Sequence, residues 1–159
     1  MMLICGIDPG LKGGLSFYDK EADYLKVYKM PVVDKIIAKK KRYFLNCHRF
    51  CNILLDESPN RIVIEKQHPM PNQGVVSTFS IGFQYGLCLG TFIALGFTYD
   101  EVKARDWKKD LGVSSDKEEA RIKATELFGS DKHWPLKSHD GLAESAMIAY
   151  WGHYFHEEL

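Results

Sequence analysis

The sequence predicts an α/β domain built on a mixed sheet. Short apolar runs closed by Pro, Gly or an acid alternate with stretches whose apolar residues recur every three or four positions, and no repeat or low-complexity linker interrupts them. The chain has 159 residues. At ~100–200 residues per domain this argues for a single domain over 1–159, long enough to bury roughly 70% of its unfolded surface without a disulfide or metal.

Residues 2–8 form a buried strand with Asp8 at its C-terminal tip, because Pro9-Gly10 breaks the extended chain. Residues 15–18 and 24–28 give two more strands in a meander, so the first three strands are expected to be antiparallel neighbours. Over residues 43–55 the positions of Phe44, Cys47, Phe50, Cys51, Leu54 and Leu55 give one apolar helix face, which Pro59-Asn60 ends. Residues 61–65 repeat the first pattern as an apolar strand tipped by Glu65. A loop rich in Pro and Asn leads to a nearly continuous apolar helix over 75–95, in which Gly82, Gly86 and Gly90 fall on one stripe. Each glycine costs a helix ~1 kcal/mol against alanine, so the stripe predicts close approach by the sheet beneath it in the first instance, or by a partner helix. A strand over 97–102 and a helical turn over 105–110 follow. Ser114-Ser115-Asp116 caps a helix to about Phe128, and a last helix starts near Ser138 or His139 and runs to the C-terminus.

Composition narrows the function classes. At 45% hydrophobic and 13% aromatic the chain is too apolar for disorder, and its apolar residues are too evenly spread for a membrane span. Cys5, Cys47, Cys51 and Cys88 form no CxxC pair and read as free thiols, and the N-terminal apolar run is too short for a signal peptide; both features lead to a cytoplasmic expectation. The 21 basic and 21 acidic residues cancel, which at face value argues against a polyanionic partner. The charges are not evenly placed, however. Lys35, Lys39, Lys40, Lys41, Arg42 and Arg49 occupy a stretch with no acid, and Lys103, Arg105, Lys108, Lys109, Lys117, Arg121 and Lys123 gather around Trp107, mixed with acids. Each cluster is either a solvated face or a phosphate-binding surface. Trp107, Trp134 and Trp151 read as packing residues.

Four acids stand apart from the rest. Asp8 and Glu65 each end a hydrophobic strand, where a carboxylate is costly unless compensated. Asp140 and Glu144, four apart in a helical stretch among Gly141, Leu142, Ala143 and Ala146, project from one close-packed face. Carboxylates converging in such a setting repel one another unless cations lie between them, and hard divalent ions such as Mg²⁺ or Mn²⁺ suit an all-oxygen site. Two such ions about 4 Å apart suit in-line phosphodiester displacement. The plainer alternative makes each acid an independent loop or cap residue, Asp140 an N-cap among them.

The opening Leu3-Ile4-Cys5-Gly6-Ile7-Asp8-Pro9-Gly10, the strand Ile62-Val63-Ile64-Glu65 with the helix after it, and His139-Asp140-Gly141-Leu142-Ala143-Glu144 together resemble the RuvC-like Holliday junction resolvases of the ribonuclease-H-like superfamily, especially their compact phage and prophage versions. The resemblance spans nearly the whole chain. It implies a ribonuclease-H-like fold with a mixed five-stranded central sheet flanked by helices. It also implies a crossover junction endonuclease of DNA recombination, repair or phage DNA processing. Asp8, Glu65, Asp140 and Glu144 carry over as catalytic metal-binding acids, holding Mg²⁺ or Mn²⁺ as two ions per site, with His139 as an assisting ligand or proton carrier or as a mere cap neighbour. Lys108 and Lys117 match DNA-contacting lysines of the family, and Lys39, Lys40, Lys41 and Arg42 join them as DNA-binding candidates. The implied partners are branched DNA and a second copy of the chain, with no membrane or small-molecule partner. A flap-cutting or RNA-cleaving nuclease of the same fold, or an inactive binder of branched DNA, is the alternative. The sequence departs from the bacterial pattern twice: its last two acids are four apart and end in Glu144, and His68, a DNA-binding candidate able to stack on bases, stands where a stacking phenylalanine is usual, with Met70 as the alternative wedge.

Overall fold

The computed structural model describes residues 1–155. Its strands are β1 (Ile4–Asp8), β2 (Gly14–Asp19), β3 (Tyr24–Lys29), β4 (Val32–Ile37), β5 (Lys40–Leu45), β6 (Arg61–Glu65) and β7 (Tyr99–Val102). The helices are α1 (Cys47–Glu57), α2 (Val75–Leu95), α3 (Ala104–Leu111), α4 (Lys117–Phe128) and α5 (Asp140–Tyr154), with a 3₁₀ turn over Lys137–His139. Five strands form one mixed sheet in the order β3-β2-β1-β6-β7. β1 to β3 pair antiparallel as the meander predicts, and β6 and β7 join β1 in parallel.

Alternation along the strands decides where the acids point. In β1, Cys5 and Ile7 pack with α1 and α2 side chains on one face, so Ile4, Gly6 and Asp8 face the other, where α5 lies. In β6 the same parity sends Ile62 and Ile64 to the α1/α2 side and Val63 and Glu65 to the α5 side. β1 and β6 run parallel and in register from Ile4↔Arg61 to Ile7↔Ile64, so both acids arrive at one end and on one face of the sheet. α5 crosses that face almost without clearance. A Cβ on Gly6 would lie 2.2 Å from the Ala149 nitrogen, and the buried Ser16 and Ser145 hydroxyls lie 2.6 Å apart across the same seam.

Two expectations need correction. The apolar spacing over 43–55 runs across an element boundary: Tyr43, Phe44 and Leu45 belong to β5, and the helix begins at Cys47, after Asn46 accepts the Arg49 N–H at 3.0 Å as its N-cap. Lys35 to Arg42 of the basic run are thereby placed on β4, β5 and the turn between them, a two-stranded antiparallel hairpin outside the main sheet, while Arg49 falls in α1. The glycine stripe of α2 meets no sheet, since a Cβ at Gly82, Gly86 or Gly90 would find nothing within 4 Å. Elsewhere the match is closer. Asp116 caps α4 through the Glu118 and Glu119 N–H groups, Trp107 and Trp134 are fully buried and Trp151 nearly so, and all four cysteines are free. The last helix is described to Tyr154, and its expected continuation over 156–159 lies outside the described residues.

At 21 residues and a mean hydropathy of 1.4, α2 has the length and composition of a membrane span. One side of it packs on the domain, where Cys88 and Phe92 are buried in the core and Gln84 donates to the Pro9 carbonyl oxygen at 2.8 Å. Its other side leaves Val76, Phe79, Phe83 and Ile93 exposed.

Candidate active site

Asp8 leaves the sheet edge and is shaped at once by its own loop, where Oδ1 accepts the Gly10 N–H at 3.1 Å. Two glycines wall it in. A Cβ on Gly13 would lie 2.2 Å from the Asp8 carbonyl oxygen, and one on Gly141 would lie 3.0 Å from Asp8 Oδ2 and 2.5 Å from the Lys12 carbonyl oxygen. Neither position accepts a side chain without moving backbone, so the start of α5 is locked against the Asp8 loop. Burial first, then the charges of Glu144, Glu65 and Asp140, push the Asp8 carboxyl up to about 7, with the Gly10 N–H opposing them.

Glu65 reaches the same pocket from β6. Its Oε2 accepts the Nε1–H of Trp107 at 2.9 Å, and Trp107 is itself fully buried in α3. Burial raises the Glu65 carboxyl above its ordinary range and the charge of Glu144 adds to this, while the Trp107 hydrogen bond and the charge of Lys108 act the other way. Lys108, the next residue of α3, lies 2.7 Å from Glu144 Oε1 and 5.2 Å from the Trp107 ring centre. Lys117, at the start of α4, lies 3.0 Å from Asp140 Oδ2, which holds its ammonium above the ordinary lysine range.

The structure thus brings together Asp8, Glu65, Asp140 and Glu144, and adds two lysines that hold the last two acids. Asp140 opens α5 rather than capping it; His139 occupies the cap position, and its Nδ1 accepts the Leu136 N–H at 3.4 Å. His139 lines a cleft of about 300 Å³ beside the site with Lys12, Gly13 and Val32. His68 lies in a different cleft, about 390 Å³, lined by Lys66, Lys103, Ala104 and Arg105. Lys39, Lys40, Lys41 and Arg42 are on the β4–β5 hairpin. From the sequence, Trp107 reads as packing rather than base stacking, and Lys66 carries no signal. The available signal for Trp107 was its place directly before Lys108 on a strongly amphipathic turn.

Four carboxylates without sulfur ligands are the donor set of a hard divalent cation. Among the described residues no three His, Cys, Asp or Glu side chains stand close enough to hold an ion as placed, and Lys108 and Lys117 supply the positive charge beside Glu144 and Asp140. The donor chemistry fits such an ion, and a bound cation would offset both the burial and the neighbouring acidic charges that raise the Asp8 carboxyl.

No protein-family model and no curated protein matches the chain by sequence. Solved structures do match it by shape. Thermus thermophilus RuvC in complex with a Holliday junction substrate superposes with a TM-score of 0.67 at 18% identity, covering 98% of this chain and 95% of that one. A second Thermus thermophilus RuvC structure gives a TM-score of 0.60 at 19% identity, covering 96% of each chain. The fold is therefore the RuvC type of the ribonuclease-H-like class, along essentially the whole length.

Proposed function

We propose that this chain is a metal-dependent endonuclease that resolves four-way DNA junctions, hydrolysing phosphodiesters to leave 5′-phosphate and 3′-hydroxyl ends in recombination, repair or phage DNA processing. The observation that carries the reading is the convergence of Asp8, Glu65, Asp140 and Glu144 at one end of a RuvC-type sheet. Asp8 is the central acid, crowded by the other three; Glu65 on one side and the Asp140/Glu144 pair on the other complete the donor set for Mg²⁺ or Mn²⁺. When bound, such ions supply an activated water and offset the charge of the phosphate. The chain's own residues do the positioning. Trp107 orients the Glu65 carboxylate, while Lys108 and Lys117 hold the acids of α5 and lie where a phosphate would approach. The basic cleft of Lys66, Lys103 and Arg105 beside His68 suits the DNA strand leaving the site.

Two symmetric cuts require two sites about a two-fold axis, so the working form is a homodimer. α2 supplies its contact. Its glycine stripe admits a close helix, and Phe79 and Phe83, 73% and 54% exposed, offer apolar surface to cover. Free cysteines suit a reducing cytoplasm.

The test incubates wild type and Asp8→Asn with labelled four-way junction, flap, duplex and RNA–DNA hybrid, with and without Mg²⁺. Paired, metal-dependent nicks confined to the junction and lost in Asp8→Asn are expected. Equal cutting of duplex or flap removes junction selectivity, preferential cutting of the hybrid makes it an RNA-cleaving relative, and binding without any cut leaves only a binder.

A further inference from the structure

The β4–β5 hairpin stands outside the five-stranded sheet and is tied to the body at its root. The Met30 N–H donates to the Gly13 carbonyl oxygen at 3.0 Å and the Asn46 N–H to the Pro31 carbonyl oxygen at 2.9 Å. Gly13 is the residue pressed against Asp8, and Val32 shares a cleft with His139, so the hairpin springs from the rim of the acid site. Its register sorts the basic run. The pairs Lys35↔Arg42 and Ile37↔Lys40 put three cations on one face, while Lys41 falls on the other and lies 3.3 Å from Asp34. Like charges directly opposed across a strand pair destabilise it. Yet Lys35 and Arg42 face each other, and among the described residues neither they nor Lys40 has an acidic partner.

The turn shows a similar cost. Ala38 and Lys39 both hold positive φ, 49° and 60°, in a two-residue connection where Asn-Gly would be at ease. Ile36 and Ile37 stay 80% and 45% exposed near the tip. From Val32 to Leu45, five cations oppose one acid, leaving the hairpin at +4 and, in a chain of net charge zero, all the other residues together at −4. A second copy of α2 could not satisfy these cations, since Val75–Leu95 contains no charged residue. A polyanion could.

We propose that β4–β5 is a ribbon that seats in the major groove of one duplex arm of the branched DNA, with Lys35, Lys40 and Arg42 on its phosphates. The assignment rests on the nuclease reading above and adds where the DNA runs. A major groove about 12 Å wide admits a two-stranded β-ribbon. Six-residue strands at about 3.3 Å per residue reach about 20 Å, or about six base pairs at 3.4 Å each, so the arm is held about six base pairs from the cut. Contacts to phosphate fix register without choosing sequence.

The experiment follows binding of a labelled four-way junction by fluorescence anisotropy against NaCl without Mg²⁺, for wild type, Lys35→Ala/Arg42→Ala and Lys41→Ala. Two lost phosphate contacts lower the slope of log affinity against log salt by about 1.8, at about 0.9 each, whereas Lys41→Ala leaves it unchanged. The double variant should melt close to wild type, because removing an opposed pair of exposed cations offsets losing the Lys35 ammonium 5.7 Å from the Phe44 ring centre. In wild type, hydroxyl-radical protection should extend about six base pairs from the expected cut site and shorten in the double variant. An unchanged slope overturns the proposal. So does an equal fall on single-stranded DNA, or a change of oligomeric mass at constant slope, which would place the hairpin in a subunit interface. A wild type that binds but never cuts defeats the nuclease reading instead, and leaves the slopes to judge the hairpin.

Discussion

At Gly6 a Cβ would lie 2.2 Å from the Ala149 nitrogen and 2.3 Å from the Ser145 carbonyl oxygen, whereas at Gly82, Gly86 and Gly90 it would meet nothing within 4 Å. The first glycine belongs to the seam where α5 is pressed onto the sheet and its acids onto Asp8. The other three lie on an uncovered helix face beside a basic hairpin. The seam is complete within one chain, with backbone against backbone and each α5 acid held by a lysine. The α2 face leaves apolar side chains and helix-weakening glycines in water, uncovered by any other described residue.

The largest expected effect separates the two glycine sets. Gly6→Ala has to move the α5 backbone, not the end of a flexible side chain, and is expected to cost more than about 4 kcal/mol in urea unfolding or to prevent folding. Gly86→Ala has room and better helix propensity, so it should stabilise an isolated protomer by up to about 1 kcal/mol. Gly86→Leu should leave the fold intact and dissociate the proposed dimer in sedimentation at micromolar concentration. A Gly6→Ala protein of wild-type stability would break the contrast at its tight end; a dimer indifferent to Gly86→Leu would break it at its open end.

Charge divides the same regions, because α2 contains no ionisable acid or base of the Asp, Glu, Lys or Arg type while the seam concentrates four acids. The Asp8 carboxyl is raised from 3.8 to about 7, so its proton is held more tightly in the folded state. Its contribution to stability is therefore complete below about pH 4 and is lost as pH rises through about 7; Glu65, also raised, acts with the same sign. Metal-free wild type should melt lower at pH 8 than at pH 5. Asp8→Asn keeps the acceptor for the Gly10 N–H and removes the charge, so it should melt higher than wild type at pH 8, by an amount equivalent to at most about 4 kcal/mol. Mg²⁺ should raise the wild-type melting temperature more at pH 8 than at pH 5. A flat pH profile in scanning calorimetry would show that the acids do not crowd one another as described.

The same contrast explains which parts of the molecule were legible in the sequence. Asp8 and Glu65 could be read because each interrupts an apolar strand at its end, and strand parity does the rest. Asp140 and Glu144 could be read because a spacing of four fixes one helix face. The hairpin was not legible: charged residues at 39–42 hide its alternation, the Ala38-Lys39 turn lacks Gly and Asn, and Phe44 falls in phase with the helix after it. The glycine stripe predicts a close approach, by the sheet in the first instance, and no local pattern shows that this face is left open. The lysine partners of the α5 acids are 36 and 23 residues distant in sequence, Lys108 from Glu144 and Lys117 from Asp140, beyond any periodicity argument.

Within the seam, a pair of tryptophans sharpens the contrast further. Trp107 donates to Glu65 Oε2 at 2.9 Å and Trp134 donates to Thr125 Oγ1 at 3.0 Å; both are fully buried. Trp→Phe at either position removes one buried N–H bond and should cost about 1–3 kcal/mol of stability. Only Trp107→Phe should also weaken Mn²⁺ binding, by about tenfold in titration calorimetry, because an acid that loses its orienting donor binds metal less well. Equal metal affinity in the two variants would reduce Trp107 to packing.

The smallest effect is expected at the outer rim of the site, where stability and function part company. Lys117 is 79% exposed beside an Asp140 that is 19% exposed, so solvent screens the pair and Lys117→Ala should cost less than about 1 kcal/mol. Lys108, at 21% beside a Glu144 at 14%, is better shielded, and Lys108→Ala should cost more because it leaves Glu144 unpaired in a drier place. Both side chains border the acids that a phosphate would approach in the proposed reaction, so both substitutions should lower junction affinity and flatten its salt dependence by about one unit each. If Lys117→Ala destabilised the fold as much as Lys108→Ala, the α4 side of the site would be as enclosed as the α3 side, and the path by which DNA reaches Asp8 would have to lie elsewhere.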